Sequence, residues 1–216
     1  MQFKICGITR LEDLHSCEKY DPDFIGFINI ERSKRFLDIK KIRKLRDSMK
    51  NLKKAVLVIE PETTEDAIKA VEKSGINNVQ LHSLKAEEIV ELKGINVIRA
   101  IGIPEKIDTS KREEIEKFAK VCNYLIFDSM VSGKSGGTGK QIPLELAVEA
   151  AEIAKISNPD IKLFLAGGIN TERIKKEGKL IRDIFDYVDV NSGVEDCPGI
   201  KNTLKIIEFV DTCKVI

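Results

Sequence analysis

Short runs of apolar and β-branched residues recur along the whole chain, at Phe3 to Ile8, Phe24 to Ile28, Ala55 to Ile59, Asn78 to Leu81, Val97 to Ile101, Tyr124 to Phe127, Leu163 to Ala166 and Tyr187 to Val190. Each is too short for a helix and reads as a strand buried on both faces. Between them apolar residues fall at helical spacing. Leu144, Ala147, Val148 and Ala151 oppose Glu145, Glu149 and Glu152, and the last segment places Ile206, Phe209, Val210 and Cys213 on one face. Strict strand-helix alternation requires parallel strands, and eight of them close into a barrel. The 216 residues shared among eight βα units give about 27 per unit, which leaves little for a second domain. The expectation is a single-domain (β/α)8 TIM barrel over residues 1–216 with eight parallel strands. A doubly wound open sheet shows the same alternation but needs a glycine fingerprint after its first strand. Here the glycines gather late, at Gly133 to Gly139, Gly167-Gly168 and Gly193, where barrels commonly hold phosphate.

Strand parity sharpens the picture, because charged residues inside a barrel strand are expected to point into the lumen while their neighbours pack on helices. Lys4 and Cys6 share one face of the first strand, Gln80 and His82 one face of the fourth, and Asp189 and Asn191 one face of the eighth; Arg99 interrupts the fifth and Asp128 ends the sixth. Lys4, Gln80, Arg99 and Asp189 are expected to form a polar lumen layer, with Lys4 paired to Asp189. Cys6-Gly7, His82, Asp128, Gly167-Gly168 and Asn191-Ser192-Gly193 fall at the strands' C-terminal ends, the rim on which barrel enzymes carry their chemistry.

Composition narrows the function classes. Lys plus Arg number 36 against 35 Asp plus Glu, a net +1, so no overall field calls for nucleic acid or an anionic membrane, and any anion must be held locally. Five widely spaced cysteines without a CxxC pair, and two histidines, argue against a disulfide framework or a zinc site. No run of apolar residues is long enough to span a bilayer and the start lacks an export signal, so the expected location is cytoplasmic.

A thiol and a carboxyl facing each other at the rim suit base and acid roles, provided both are tuned: the nearby Lys4 charge is expected to lower the Cys6 pKa, and partial burial to raise that of Asp128. An inert buried thiol and a structural capping carboxylate are the alternative readings. Gly136-Gly137-Thr138-Gly139-Lys140 is not a Walker loop, because positions 134 and 141 hold Lys134 and Gln141. It reads instead as a Lys-bearing loop over an anionic substrate, or as a plain linker before the helix opened by Pro143. Glycines in the two late βα loops let backbone N–H groups approach a phosphate, although tight turns alone look the same. After the second strand, Glu31-Arg32-Ser33-Lys34-Arg35-Phe36 offers a guanidinium for a carboxylate. The charges from Lys40 to Lys54 read as a wet helix face.

The ordered set Lys4-Ile5-Cys6-Gly7-Ile8-Thr9, Ser33-Lys34-Arg35-Phe36, Val79-Gln80-Leu81-His82, Asp128, Gly136-Gly137-Thr138-Gly139-Lys140, Gly167-Gly168-Ile169 and Val188 to Glu195 closely resembles the phosphoribosylanthranilate isomerase family nearly end to end. The resemblance implies an Amadori rearrangement in tryptophan biosynthesis, with Cys6 as general base and Asp128 as general acid. It further implies substrate binding by Arg35, through the anthranilate carboxylate, and by His82, Gly137, Gly139, Gly167, Gly168, Asn191, Ser192 and Gly193. The substrate's own iminium is the electron sink, so no cofactor or metal is expected. The implied partner is a small phosphorylated molecule, with no nucleic acid or membrane, and the chain a monomer or homodimer. Departures from the family pattern are Ser83, Asn191, Val58-Ile59-Glu60-Pro61 and Gln141-Ile142-Pro143. Competing readings are another phosphate-binding barrel, such as a sugar-phosphate epimerase or a paired-Asp isomerase, and a barrel that binds without turnover. The first strand ends in Cys6 where a paired-Asp enzyme needs its second carboxylate.

Overall fold

The computed structural model describes residues 1–131, 134–135 and 141–216. Among them, eight parallel strands form a closed barrel: β1 (Gln2–Ile5), β2 (Phe24–Asn29), β3 (Ala55–Ile59), β4 (Asn78–Leu81), β5 (Asn96–Ile103), β6 (Tyr124–Val131), β7 (Lys162–Leu165) and β8 (Tyr187–Val190). Sequential strands are neighbours, β8 pairs back onto β1 with Lys4 opposite Asp189, and the β5–β6 pairing from Ile98 opposite Tyr124 to Ile103 opposite Ser129 completes the circle. Helices alternate with them: α1 (Leu11–Glu18), α2 (Ile39–Asp47), α3 (Thr64–Ser74), α4 (Ala86–Ile89), α5 (Thr109–Val121), α6 (Leu144–Ser157), α7 (Thr171–Ile184) and α8 (Thr203–Val215). Asp38, Thr63, Asp108, Asn170 and Asn202 cap five of the N-termini by accepting a backbone N–H from the first turn. The expected barrel is therefore present, and six of the eight expected strands are matched to within two residues at each end. β1 stops at Ile5 rather than Ile8, because the chain turns at Gly7, whose φ is +75°, and β6 runs on beyond Phe127 to pair antiparallel with Lys134–Ser135. A hairpin of Glu195–Cys197 and Ile200–Lys201 follows β8.

Two separate apolar regions hold the barrel together. The larger lies between strands and helices, and it includes Ile206, Phe209, Val210 and Cys213 of α8, all buried as the spacing predicts. The smaller fills the lumen with Val56, Val58, Ile98, Ala100, Ile126 and Phe164. Its lower end is plugged by Phe24, Tyr124, Phe164 and Tyr187, the last two stacked at 4.4 Å between centroids.

Above the plug sits a polar layer. Lys4, fully buried, donates from Nζ to both carboxylate oxygens of Asp189 at 3.0 Å and to Gln80 Oε1 at 2.9 Å, as the parity reading expects. Arg99 does not join them. On β5 the inward positions are Ile98 and Ala100, so Arg99 projects outward, with its guanidinium 4.3 Å from the Phe118 ring centroid and donating to the Leu81 and Ser83 carbonyls. A charge inside a strand can leave the lumen by lying under a helix where an aromatic face and strand-end carbonyls receive it.

Candidate active site

The loops at the C-terminal rim surround a cavity of about 360 Å³ whose walls include Cys6, Arg35, His82, Asp128, Gly167, Gly168, Asn191 and Ser192. The structure thus brings eight of the expected site residues to one place. Gly193 stands just behind it. A Cβ there would lie 2.2 Å from the Ile169 carbonyl oxygen, so only glycine lets the β8 loop pack against the β7 loop. Gly137, Gly139 and Lys140 lie outside the described residues.

Cys6 is placed by close backbone contact. Its N–H donates to Val190 O at 2.9 Å, and the next two amides, of Gly7 and Ile8, both donate to Gly26 O. A Cβ on Gly26 would stand 2.7 Å from Cys6 Sγ, so Gly26 supplies the space the thiol occupies. Burial pushes the thiol pKa up; the Lys4 and Lys201 charges pull it down, and Asp189 pushes it further up. The net direction is upward, opposite to the outcome expected from Lys4: that ammonium does lower the thiol, by charge and by hydrogen bond, but desolvation outweighs it.

Asp128 behaves as expected. Burial raises its carboxyl to about 6, against the pull of the Ser129 N–H, which donates to Oδ1 at 2.7 Å. Asp189 raises it and Lys4 lowers it in smaller measure.

Further round the rim, Gln80 fixes the state of His82. Lys4 has only donors, so Gln80 turns its oxygen to Lys4 and its NH2 to His82 Nε2, 3.0 Å away. Nε2 then accepts and the ring proton sits on Nδ1. Burial, and next the Arg99 charge, bring the His82 pKa down to about 4, so the imidazole is neutral at pH 7. Asp189, Lys4, Gln80 and His82 form one hydrogen-bonded row across the lumen.

Arg35 belongs to a second buried network that sequence reasoning missed. Its Nε and Nη2 donate to the Glu195 carboxylate, with Nε to Oε1 at 2.8 Å. Lys201 Nζ donates to the same carboxylate at 2.9 Å and to Asn191 O and Oδ1 at 3.0 Å. All three charged side chains are buried. Glu195 stood inside a quoted motif without a role, and Lys201 carried no signal at all: it reaches the site only because the hairpin after β8 folds back. Asn191 spends its Oδ1 on this lysine.

In the β7 and β8 loops Gly167 and Gly168 have left-handed φ values of +74° and +65°. The amides of Gly168, Ile169, Ser192 and Gly193 have no acceptor among the described residues. Unpaired N–H groups beside a cavity are able to receive an anion. No group of three or more His, Cys, Asp or Glu side chains able to hold a metal ion occurs among the described residues.

The family model described as N-(5′-phosphoribosyl)anthranilate (PRA) isomerase matches residues 3–212. The chain belongs to this family. A PRA isomerase of Methanothermobacter marburgensis is 32% identical over 217 residues, covering 98% of this chain and 93% of that protein. Among solved structures, monomers of the dimeric PRA isomerase of Thermotoga maritima match with a TM-score of 0.82 and 25% identity over 100% of both chains. A PRA isomerase in complex with reduced 1-(o-carboxyphenylamino)-1-deoxyribulose 5-phosphate matches with a TM-score of 0.79 and 25% identity, again over 100% of both chains. Membership in the PRA isomerase family sets aside the epimerase and paired-Asp readings. No helix among the described residues is long and apolar enough to cross a membrane.

Proposed function

We propose that this chain isomerises N-(5′-phosphoribosyl)anthranilate to 1-(2-carboxyphenylamino)-1-deoxyribulose 5-phosphate, an internal redox step of tryptophan biosynthesis, with Asp128 as general acid and Cys6 as general base. The observation that carries the reading is the pair of opposed titratable groups in one cavity, a carboxyl raised to about 6 and a thiol raised above its ordinary value. Asp128, partly protonated near neutrality, gives a proton to the furanose oxygen as the anilino nitrogen opens the ring to an iminium. That new cation beside Cys6 stabilises the thiolate, and the thiol proton passes to water in the open cavity. The thiolate then removes the C2′ proton, and the electron pair moves into the iminium to give the enamine, which is the enol form of the ketose product. No external oxidant or reductant enters the balance.

Recognition follows the two ends of the substrate. The phosphate is assigned to the β7 and β8 loop amides, the carboxylate to the outer edge of Arg35, and the aromatic ring to the apolar wall of Ile28, Ile30 and Val58 that runs up to the Arg35 loop. Neutral backbone donors then bind most of the negative charge, which suits a chain of net charge +1. We assign the Lys140 segment to substrate cover, the activity to the cytosol, where its soluble substrate would be made, and the chain to a single domain, monomeric or homodimeric. The test is consumption of freshly prepared phosphoribosylanthranilate, followed by loss of its fluorescence, with Cys6→Ala and Asp128→Asn. Both variants are expected to lose at least about 100-fold in kcat. An inactive wild type would overturn the function, and an active Cys6→Ala the base assignment.

A further inference from the structure

Arg173, in the first turn of α7, is 3% exposed and does not line the cavity, yet its guanidinium ties together the segments around the glycine loop. Nη1 donates to Gly167 O at 3.0 Å, Nη2 to Ile142 O at 2.7 Å, and Nε to Glu177 at 3.0 Å. The next carbonyl is held as well: Gln141 Nε2 donates to Gly168 O at 3.2 Å. A trans peptide sets a carbonyl and the following N–H on opposite sides. Fixing the oxygens of Gly167 and Gly168 on side chains therefore turns the amides of Gly168 and Ile169 the other way, and these are two of the amides that lack an acceptor among the described residues. A cation on the carbonyl end also polarises the peptide and strengthens its N–H as a donor.

We propose that Arg173, helped by Gln141, is the positioning residue of the phosphate cradle: it aims and polarises the Gly167–Gly168 peptides without touching the phosphate. This rests on the reading of the glycine loops as the phosphate site. Glycines with left-handed φ can flip their peptides at little cost, so a loop built from two of them needs an outside hold if its amides are to stay aimed. Arg173 also joins this loop to Ile142, just before α6.

The test uses inorganic phosphate as a competitive inhibitor of the isomerase reaction, with Arg173→Met, Arg173→Lys, Gln141→Ala and Glu177→Gln. Arg173→Met is expected to raise both the phosphate inhibition constant and KM at least tenfold while kcat falls less than threefold. Arg173→Lys, which keeps the charge but cannot bridge two carbonyls, is expected to fall between, and Gln141→Ala to raise the constant two- to fivefold. Glu177→Gln, which touches only Nε, is expected to stay within twofold of wild type. A wild-type phosphate constant in Arg173→Met, whatever its thermal stability, overturns the proposal. Should that variant not fold, unchanged constants in both Arg173→Lys and Gln141→Ala overturn it. Failure of phosphate to compete in the wild type has a different meaning: the phosphate-site reading then fails, and the positioning role falls with it.

Discussion

Replacing Asp128 by Asn separates the cost of the catalytic acid from its use. The carboxyl is raised from 3.8 to about 6 chiefly by burial, and a group raised in the folded state binds its proton more tightly there than in the unfolded chain. Its contribution to stability is therefore complete below about pH 4 and is lost as pH rises through 6. About two units correspond to roughly 3 kcal/mol at the most, and because Asp128 remains partly accessible to solvent the effective figure is about 1–2 kcal/mol. Asparagine has no charge to desolvate and its Oδ1 can still accept the Ser129 N–H, which reaches Asp128 at 2.7 Å. Asp128→Asn is thus expected to match wild type in denaturant unfolding at pH 4 and to exceed it by about 1–2 kcal/mol at pH 8, while kcat drops by about 100- to 10,000-fold. A stability difference that is the same at both pH values, or a variant less stable at pH 8, would refute the reasoning.

Other consequences are as direct. The productive form carries a protonated Asp128 and an ionised Cys6, and its fraction is constant between their two pKa values, so kcat/KM is expected to rise up to about pH 6 and to stay level beyond pH 9, the thiol lying above its ordinary 9.0; a descending limb near 7 in the pH-rate profile would contradict this. Lys4→Met leaves Asp189 buried without its cation and is expected to cost about 3–5 kcal/mol in urea unfolding, most of it recovered by adding Asp189→Leu. Gly26→Ala places a methyl 2.7 Å from Cys6 Sγ and is expected to cost about 1–3 kcal/mol and to lower kcat at least about tenfold, measured by unfolding and turnover. Gly193→Ala sets a methyl against the Ile169 carbonyl, 2.2 Å away before relaxation, and is expected to raise KM more than it lowers kcat.

The barrel was legible in the sequence because its two periodicities are local: strand runs buried on both faces are continuous, and helices are striped. The lumen charges were legible where parity and pairing agreed, as at Lys4 and Asp189. They misled at Arg99, because a two-residue alternation says which positions share a face but not which face it is, and only Ile98 and Ala100 settle that on β5. Cys6 and Asp128 could be located, but the direction of the thiol's shift could not. It depends on how far desolvation and the Asp189 charge outweigh the Lys4 charge, a balance that is three-dimensional. Lys201 and Arg173 were silent for the same reason. Each acts through contacts made by folding, Lys201 from a hairpin that returns to the rim and Arg173 from a helix start that reaches two loops.

Charge balance in the cavity explains why two groups with unfavourable resting protonation suit one reaction. Lys4 and Asp189 cancel, and Glu195 is shared by Arg35 and Lys201, so one positive charge is left over near the end assigned to the substrate carboxylate. The phosphate meets peptide dipoles instead of a full countercharge. On entry, the substrate therefore adds net negative charge to a buried site whose acid already sits at about 6, and like charge raises a carboxyl further. Asp128 is held protonated at neutral pH when it is needed to donate. Once it has donated, the iminium reverses the local sign, and the Cys6 thiol, which resting burial keeps protonated, faces a cation. The substrate itself supplies the field that readies first the acid and then the base, which is how a site can do both steps at one pH with a thiol whose resting pKa is too high.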